Sequence, residues 1–190
     1  MGLSRKGSTV KKMIRMLGIG AVVLGTVLPI GAARADTAPY CGIRWGSLAK
    51  QGSAATAVPV ALTNVRAGRH ACFDRLVLDG ASWARVRYVG QVREDGSGRV
   101  VPLRGGARLE IVTTRADDVQ TGEPTYNPAD PAHLVDVTGW RTFRQAAFAG
   151  DFEGQTTIGL GVRARLPFRV FVLTAKDRAP RVVIDVAHRW

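Results

Sequence analysis

The sequence predicts an all-β protein, an antiparallel β-sandwich in a single domain behind an N-terminal signal peptide. Apolar residues alternate with a period of two in Val58, Val60 and Leu62, in Leu76 and Leu78, in Val86 and Tyr88, in Leu109 and Ile111, in Val170 and Val172, and in Val182, Ile184 and Val186. That spacing places every second side chain on one face of a strand. Between the runs lie Ala67-Gly68-Arg69, Asp79-Gly80, Asp95-Gly-Ser-Gly98, Arg104-Gly-Gly106 and Gly150-Asp-Phe-Glu-Gly154, whose glycines supply the positive φ angles of tight connections. Beyond residue 52 no segment sustains a 3.6-residue apolar period with a capping signal. With 46% hydrophobic and 22% charged residues, the chain has the composition of a folded domain and not of a disordered one.

The elements follow in chain order. Six of the 27 Lys and Arg residues and none of the 15 acids lie in the first 35 positions, which leaves 21 basic residues against 15 acids for the rest. Half of the net charge of +12 therefore belongs to the leader. Its basic start precedes the apolar run Leu17–Ile30 and the small-x-small sequence Ala33-Arg34-Ala35, the pattern of a secretory signal peptide cut after Ala35. The apolar run is interrupted by Gly18, Gly20, Gly25 and Pro29 and falls short of the roughly 20 residues a bilayer core requires. No span is expected after cleavage. Residues 36–65 read as an N-terminal arm and first strand, with one helical turn at residues 48–51, and residues 66–190 as the sandwich domain. The connection from Arg115 to His133 holds three prolines and the acids Asp117, Asp118, Glu123 and Asp130. A loop of this length predicts a surface flap, with disorder as the alternative, and at most a short helix is expected near 115–121. Its acids lack the D-x-D-x-D-G order of a calcium loop.

Cys41 and Cys72 are the only cysteines, and in an exported chain two cysteines without a Cys-x-x-Cys pattern predict a disulfide. Arg75-Leu-Val-Leu-Asp79 is echoed by Arg181-Val-Val-Ile-Asp185. Positions i and i+4 of a strand share a face about 13 Å apart, too far for each Arg to reach its own Asp. Were the two strands antiparallel neighbours, Arg75 would face Asp185 and Arg181 would face Asp79; the alternative is a pair of edge strands with solvated ends.

At these residues the sequence resembles a known family. Cys72-Phe-Asp-Arg-Leu-Val-Leu-Asp-Gly80, Val86-Arg-Tyr-Val89, Asp95-Gly-Ser-Gly98, Phe148-Ala-Gly-Asp-Phe-Glu-Gly154, Leu166-Pro-Phe-Arg-Val-Phe171 and Arg181-Val-Val-Ile-Asp-Val-Ala-His188 are similar to the actinobacterial AMIN-like domain, over about residues 66–190. The likeness to the wider AMIN domain rests on the two Arg-x-x-x-Asp strands. The resemblance implies a β-sandwich of the kind that sits beside cell-wall amidases and in pilus secretins and localises its protein by binding peptidoglycan. It carries over no binding residues.

Catalytic machinery is not expected. His70, His133 and His188 are far apart in sequence and belong to no metal-binding motif, and each reads as a surface or turn residue. Ser97 sits in a hairpin turn, and no Gly-x-Ser-x-Gly elbow occurs. Neither cofactor nor metal is implied. For binding, 19 of the 21 basic residues after position 35 are arginine, whose planar fork suits carboxylate and phosphate. The candidate ligand-binding residues are Arg85 and Arg87 on one strand face near Trp83 and Tyr88, and Arg163 and Arg165 on another. The opposing view makes both pairs solvated outer faces, and most of Trp45, Trp83, Trp140 and Trp190 core. Nucleic acid is set aside because the chain reads as exported. The expected function is that of a noncatalytic envelope module, secreted and associated with the cell wall, that binds peptidoglycan or an anionic wall polymer. The alternative is a module that meets another exported protein through the acidic flap or a sheet edge. A wall hydrolase ranks third.

Overall fold

The alternating apolar runs find their partners across two sheets packed face to face. The computed structural model describes residues 1–2, 39–56 and 60–190; residues 3–35 of the segment read as a signal peptide, and Val58, lie outside them. The chain divides into Met1–Asp36 and Thr37–Trp190, and the sandwich lies within the second unit. Its strands are β1 (Lys50–Ser53), β2 (Asn64–Arg69), β3 (Phe73–Asp79), β4 (Trp83–Val89), β5 (Val92–Arg93), β6 (Val100–Val101), β7 (Ala107–Thr114), β8 (Phe143–Phe152), β9 (Gln155–Val162), β10 (Phe168–Ala175) and β11 (Arg178–Ala187). One sheet has the order β1-β4-β7-β9-β8 and the other β10-β11-β3-β2, while β5 and β6 form a separate hairpin. Every pairing is antiparallel. Leu76, Leu78, Val182, Ile184 and Val186 from the four-stranded sheet and Val86, Leu109, Ile111, Ile158 and Leu160 from the five-stranded sheet are fully buried in one cluster. Each large side chain so buried contributes roughly 1.5–3 kcal/mol.

The echo of Arg-x-x-x-Asp resolves into neighbouring strands. β3 and β11 pair with Arg75 opposite Asp185 and Asp79 opposite Arg181, the antiparallel register anticipated above. Arg75 Nε donates to Asp185 Oδ1 at 2.6 Å and its Nη2 to Oδ2 at 2.9 Å, and Arg169 of β10 adds a third donor at 2.7 Å. The other half of the expected symmetry fails. Asp79 is claimed by Arg66 of β2, which donates from Nε at 2.8 Å and from Nη2 at 3.1 Å, so the buried Arg181 Nε is left without a partner among the described residues.

Two local expectations are corrected, and a third, of at most a short helix at 115–121, resolves to none. The helical turn at 48–51 is instead part of an extended segment: β1 borrows its partner from the edge of β4, Lys50 opposite Val86 and Ser53 opposite Trp83, and pairing overrides the weak strand propensity of Lys-Gln-Gly-Ser. Ala67-Gly68-Arg69 lies inside β2, and the chain turns three residues later, where His70 N–H donates to Phe73 O at 2.9 Å. No helix forms at 115–121. The Asp118 carboxylate accepts the N–H groups of Gln120 and Thr121 at 2.8 and 3.0 Å, a local bond that competes with helical backbone pairing. The flap from 115 to 133 folds onto the sandwich: Leu62 N–H donates to Arg115 O at 2.7 Å, Phe148 N–H donates to Pro131 O at 2.7 Å, and Thr125 Oγ1 donates to Leu62 O at 2.7 Å.

The N-terminal arm is a strap. Cys41 and Cys72 are disulfide-bonded across 31 positions with their Cα atoms 6.4 Å apart, and Phe168 N–H donates to Gly46 O at 2.8 Å. Between these anchors the Trp45 ring tilts against Phe73 at 5.9 Å. Replacing both cysteines (Cys41→Ser with Cys72→Ser) should lower stability in urea by about 3–4 kcal/mol, from the chain entropy of a loop of this length; an unchanged midpoint would show that the strap is held by its other contacts alone.

Candidate functional site

The outer face of the five-stranded sheet is built from alternate residues. In β4, Ala84 and Val86 are buried while Arg85 and Arg87 are exposed, which puts Trp83, Arg85 and Arg87 on the outer side. β7 sets Val112 opposite Arg85 and Glu110 opposite Arg87, and β9 sets Thr157 opposite Val112. The β5–β6 hairpin covers the other half of this face, where Val92, Val101 and Leu103 form a second apolar cluster with Ala147 and Ala149 of β8. Asp95 N–H donates to Ala149 O at 3.0 Å and fixes the hairpin's tip. A groove of about 280 Å³ remains open beside it, lined by Arg85, Arg87 and Glu110 from the sheet and by Asp95, Phe152 and Glu153 from the two turns.

The two arginines of this groove differ in state. Arg87 Nε donates to Glu110 Oε2 at 2.6 Å, and that bond holds its guanidinium above the usual arginine range. Arg85 has no hydrogen-bond or ion-pair partner among the described residues, nor has the Trp83 indole N–H. Phe152 is 52% exposed. The groove thus offers a free guanidinium and the aromatic face of Phe152, with acids within reach for a cationic group.

The other three candidates stand elsewhere. Tyr88 follows Arg87 and points to the opposite face, where it meets Phe168 edge-on at 5.7 Å and donates to Leu166 O at 2.6 Å. Arg163 and Arg165 share no strand face, because β9 ends at Val162 and both lie in the bend that carries the chain to the other sheet ahead of Pro167. Arg163 Nη2 donates to His188 O at 2.6 Å, and Arg165 Nη2 reaches Ser47 O at 3.3 Å with its guanidinium 4.9 Å from the Tyr88 ring centre. These two pin the strap and the end of β11. The tryptophans also depart from expectation: Trp45, Trp83 and Trp140 are half-buried, and Trp190 is 69% exposed.

His188 is neither a surface nor a turn residue. Its side chain is almost wholly buried, with Nε2 3.0 Å from Asp74 Oδ1, and the other Asp74 oxygen accepts the N–H groups of Thr142 and Phe143 at 2.7 and 2.9 Å. This clasp ties the start of β8 to β3 and β11. The signal was available: Asp74 precedes Leu76 and Leu78, and His188 follows Val186, on the apolar side of each strand. His133 bonds Asp130 at 2.9 Å, and His70 stacks on Phe73 at 4.5 Å. Ser97 donates to Glu94 at 2.9 Å within the hairpin turn. Asp151 accepts the Ala116 N–H and the Thr156 hydroxyl, and Asp117 bonds Arg115 at 2.6 Å. These carboxylates hold the flap and turns. No group of three His, Cys, Asp or Glu residues gathers in metal-holding geometry among the described residues.

A family model of the AMIN-like domain matches residues 60–188. The chain belongs to the AMIN-like domain family. Searches of the curated proteins and of the solved structures gave no match. In this AMIN-like domain, β1 and the strap precede the matched stretch, yet β1 completes the edge of the sheet that carries the groove.

The inward Tyr88 gives a pH signature. Burial, the largest influence, pushes its phenol from 10.0 up to about 12. Unfolding therefore releases a proton at pH values between the two, so the Tyr88 contribution is intact below pH 10 and is lost as the pH rises through that window. A phenolate absorbance titration of the folded protein should show a step near 12 that Tyr88→Phe removes. If the difference between the two proteins titrates near 10 instead, Tyr88 is not enclosed as described.

Proposed function

We propose that the protein is an exported, noncatalytic module that attaches to the cell wall by holding peptidoglycan or an associated anionic polymer in the groove of the five-stranded sheet. Membership of the AMIN-like family supports a cell-wall-associated module. The observation that carries the finer reading is Arg85, a guanidinium without a partner among the described residues, in a groove that also exposes Phe152, with Trp83 two residues away on the same side of β4. The guanidinium pairs a ligand carboxylate or phosphate through two parallel N–H donors. Trp83 and Phe152 supply faces for the apolar side of a sugar or peptide, and Glu110 and Asp95 accept from a ligand amine. The disulfide fits a protein that works after export, and residues 1–35 serve in this reading as the signal peptide.

A second reading, attachment to another exported protein, rests on β2, which ends the four-stranded sheet with no strand beyond it among the described residues. An open edge of this kind pairs with an extended segment of a partner. The acidic flap supports that reading less, since Asp117, Asp118 and Asp130 are engaged within the flap itself.

Protein-stripped peptidoglycan should retain the purified protein at low salt and release it at high salt, because the exposed charges of the groove are screened. No soluble wall fragments should appear. Arg85→Ala with Arg87→Ala should weaken retention by about tenfold, the loss of a charge-assisted pair, without unfolding the domain. Absence of retention at either salt, or retention unchanged in the double variant, would remove the groove from the account; release of fragments would point to a hydrolase.

A further inference from the structure

The strap builds a second cleft, apart from the groove and of different chemistry. It measures about 750 Å³ and is lined by Tyr40, Arg44, Trp45, Pro167, Arg189 and Trp190 among others. Its aromatic rings are fixed in place by their polar atoms and by the strap. The Trp45 indole N–H donates to Tyr40 O at 2.8 Å, and the Trp190 indole N–H donates to Arg165 O at 3.2 Å. Tyr40 stands next to Cys41, which the disulfide ties to Cys72. With their N–H groups already bonded, these indoles can offer only their faces; the Arg169 guanidinium lies over Trp45, whereas Trp190, 69% exposed, has no aromatic or cationic group stacked on it among the described residues.

Among the described residues the charged side chains that line the cleft are all cationic. The Arg189 guanidinium lies 4.6 Å from the Tyr40 ring centre, and neither it nor Arg44 has a hydrogen-bond or ion-pair partner among the described residues. No acid is among the described residues that line the cleft, in contrast to the groove, where Glu110, Asp95 and Glu153 stand beside the arginines. A guanidinium parked over a ring keeps its in-plane N–H donors free for a planar anion. The polarised C–H groups on one side of a pyranose ring meet the negative face of an aromatic ring. The free face of Trp190 beside two unpaired guanidinium groups matches a ligand that carries both features on one small unit.

We propose that this cleft is a saccharide-binding site selective for a carboxylate-bearing sugar, with Trp190 as the stacking platform and Arg44 and Arg189 as the carboxylate clamp. The site is independent of the groove and can be occupied whether or not the groove binds wall polymer.

N-Acetylmuramic acid and N-acetylglucosamine differ by a single carboxylate-bearing ether, so they isolate the clamp from the platform. Titrated into the full-length protein by calorimetry, the acid should bind about tenfold more tightly than the neutral sugar, the gain expected of a charge-assisted contact. Arg44→Ala with Arg189→Ala should abolish that difference and leave the weak neutral binding, whereas Trp190→Ala should weaken both sugars. Both sugars are titrated as well into Arg85→Ala with Arg87→Ala, which removes the guanidinium groups of the groove: a preference for the acid that survives there belongs to the cleft, and its loss there would assign it to the groove and overturn the proposal. Equal affinity for the two sugars, binding unaffected by the Arg44 and Arg189 substitutions, or tighter binding of adenosine monophosphate than of N-acetylmuramic acid would each overturn the assignment. Near-ultraviolet circular dichroism of each variant, unchanged from the parent, establishes that a lost affinity is not lost folding.

Discussion

Asp185 has no solvent-exposed surface, yet it lies on the outer side of the four-stranded sheet, opposite the core. A carboxylate so placed is costly to bury unless its oxygens are filled, and here three guanidinium N–H groups from Arg75 and Arg169 fill them. Those arginines come from the two strands that flank β11, so the one acid joins β3, β11 and β10 and penalises a slip of either neighbour. The guanidinium groups lie in turn over rings: Arg75 over Phe73 and Phe171, and Arg169 over Phe73, Phe171 and Trp45. Through Trp45 the cluster reaches the strap, and through the strap it reaches the edge of the other sheet.

What the fold leaves unused follows from what it covers. The β5–β6 hairpin lies over one half of the five-stranded sheet, and the space beneath it is so shallow that a Cβ on Gly159 would come within 2.7 Å of Leu103 and one on Gly161 within 2.0 Å of Arg104 O. The half beyond the hairpin tip keeps Trp83 and Arg85 open. On the strap, the disulfide and the bonded indole N–H groups hold rings at a surface where they would otherwise turn inward. The two candidate ligand sites therefore exist because a covering element stops short in one case and is pinned down in the other. They differ in charge: among the described residues the groove mixes acids with arginines, and the charged side chains of the cleft are arginines.

Much of the sandwich is legible in the sequence because β3, β4, β7, β10 and β11 each bury one face, and period-two alternation records that directly. β8 and β9 escape the same reading. Residues 156–162 are buried on both faces, so in Thr-Thr-Ile-Gly-Leu-Gly-Val the positions between Ile158, Leu160 and Val162 are glycines and not the polar residues that mark a solvated face, and those glycines mark close approach and not turns. β1 is illegible for another reason, since its pairing is imposed by β4. The outward set Trp83, Arg85 and Arg87 could be read from β4 alone, but Tyr88 could not belong to it, because adjacent strand residues face opposite ways. Arg163 and Arg165 fail because a two-residue spacing implies a shared face only where the strand continues. The cleft had no sequence signal, because it joins residues 39–45 to residues 167–190 through a bond and a strap that only the fold brings together.

The claim that Asp185 organises the four-stranded sheet and the strap is tested by hydrogen exchange on Asp185→Ala together with its urea midpoint. Two guanidinium groups left without their shared carboxylate should cost about 3 kcal/mol, and amides of β3, β10, β11 and residues 40–46 should lose protection ahead of those in β7 and β9. An unchanged midpoint, or protection lost evenly across both sheets, would contradict the account.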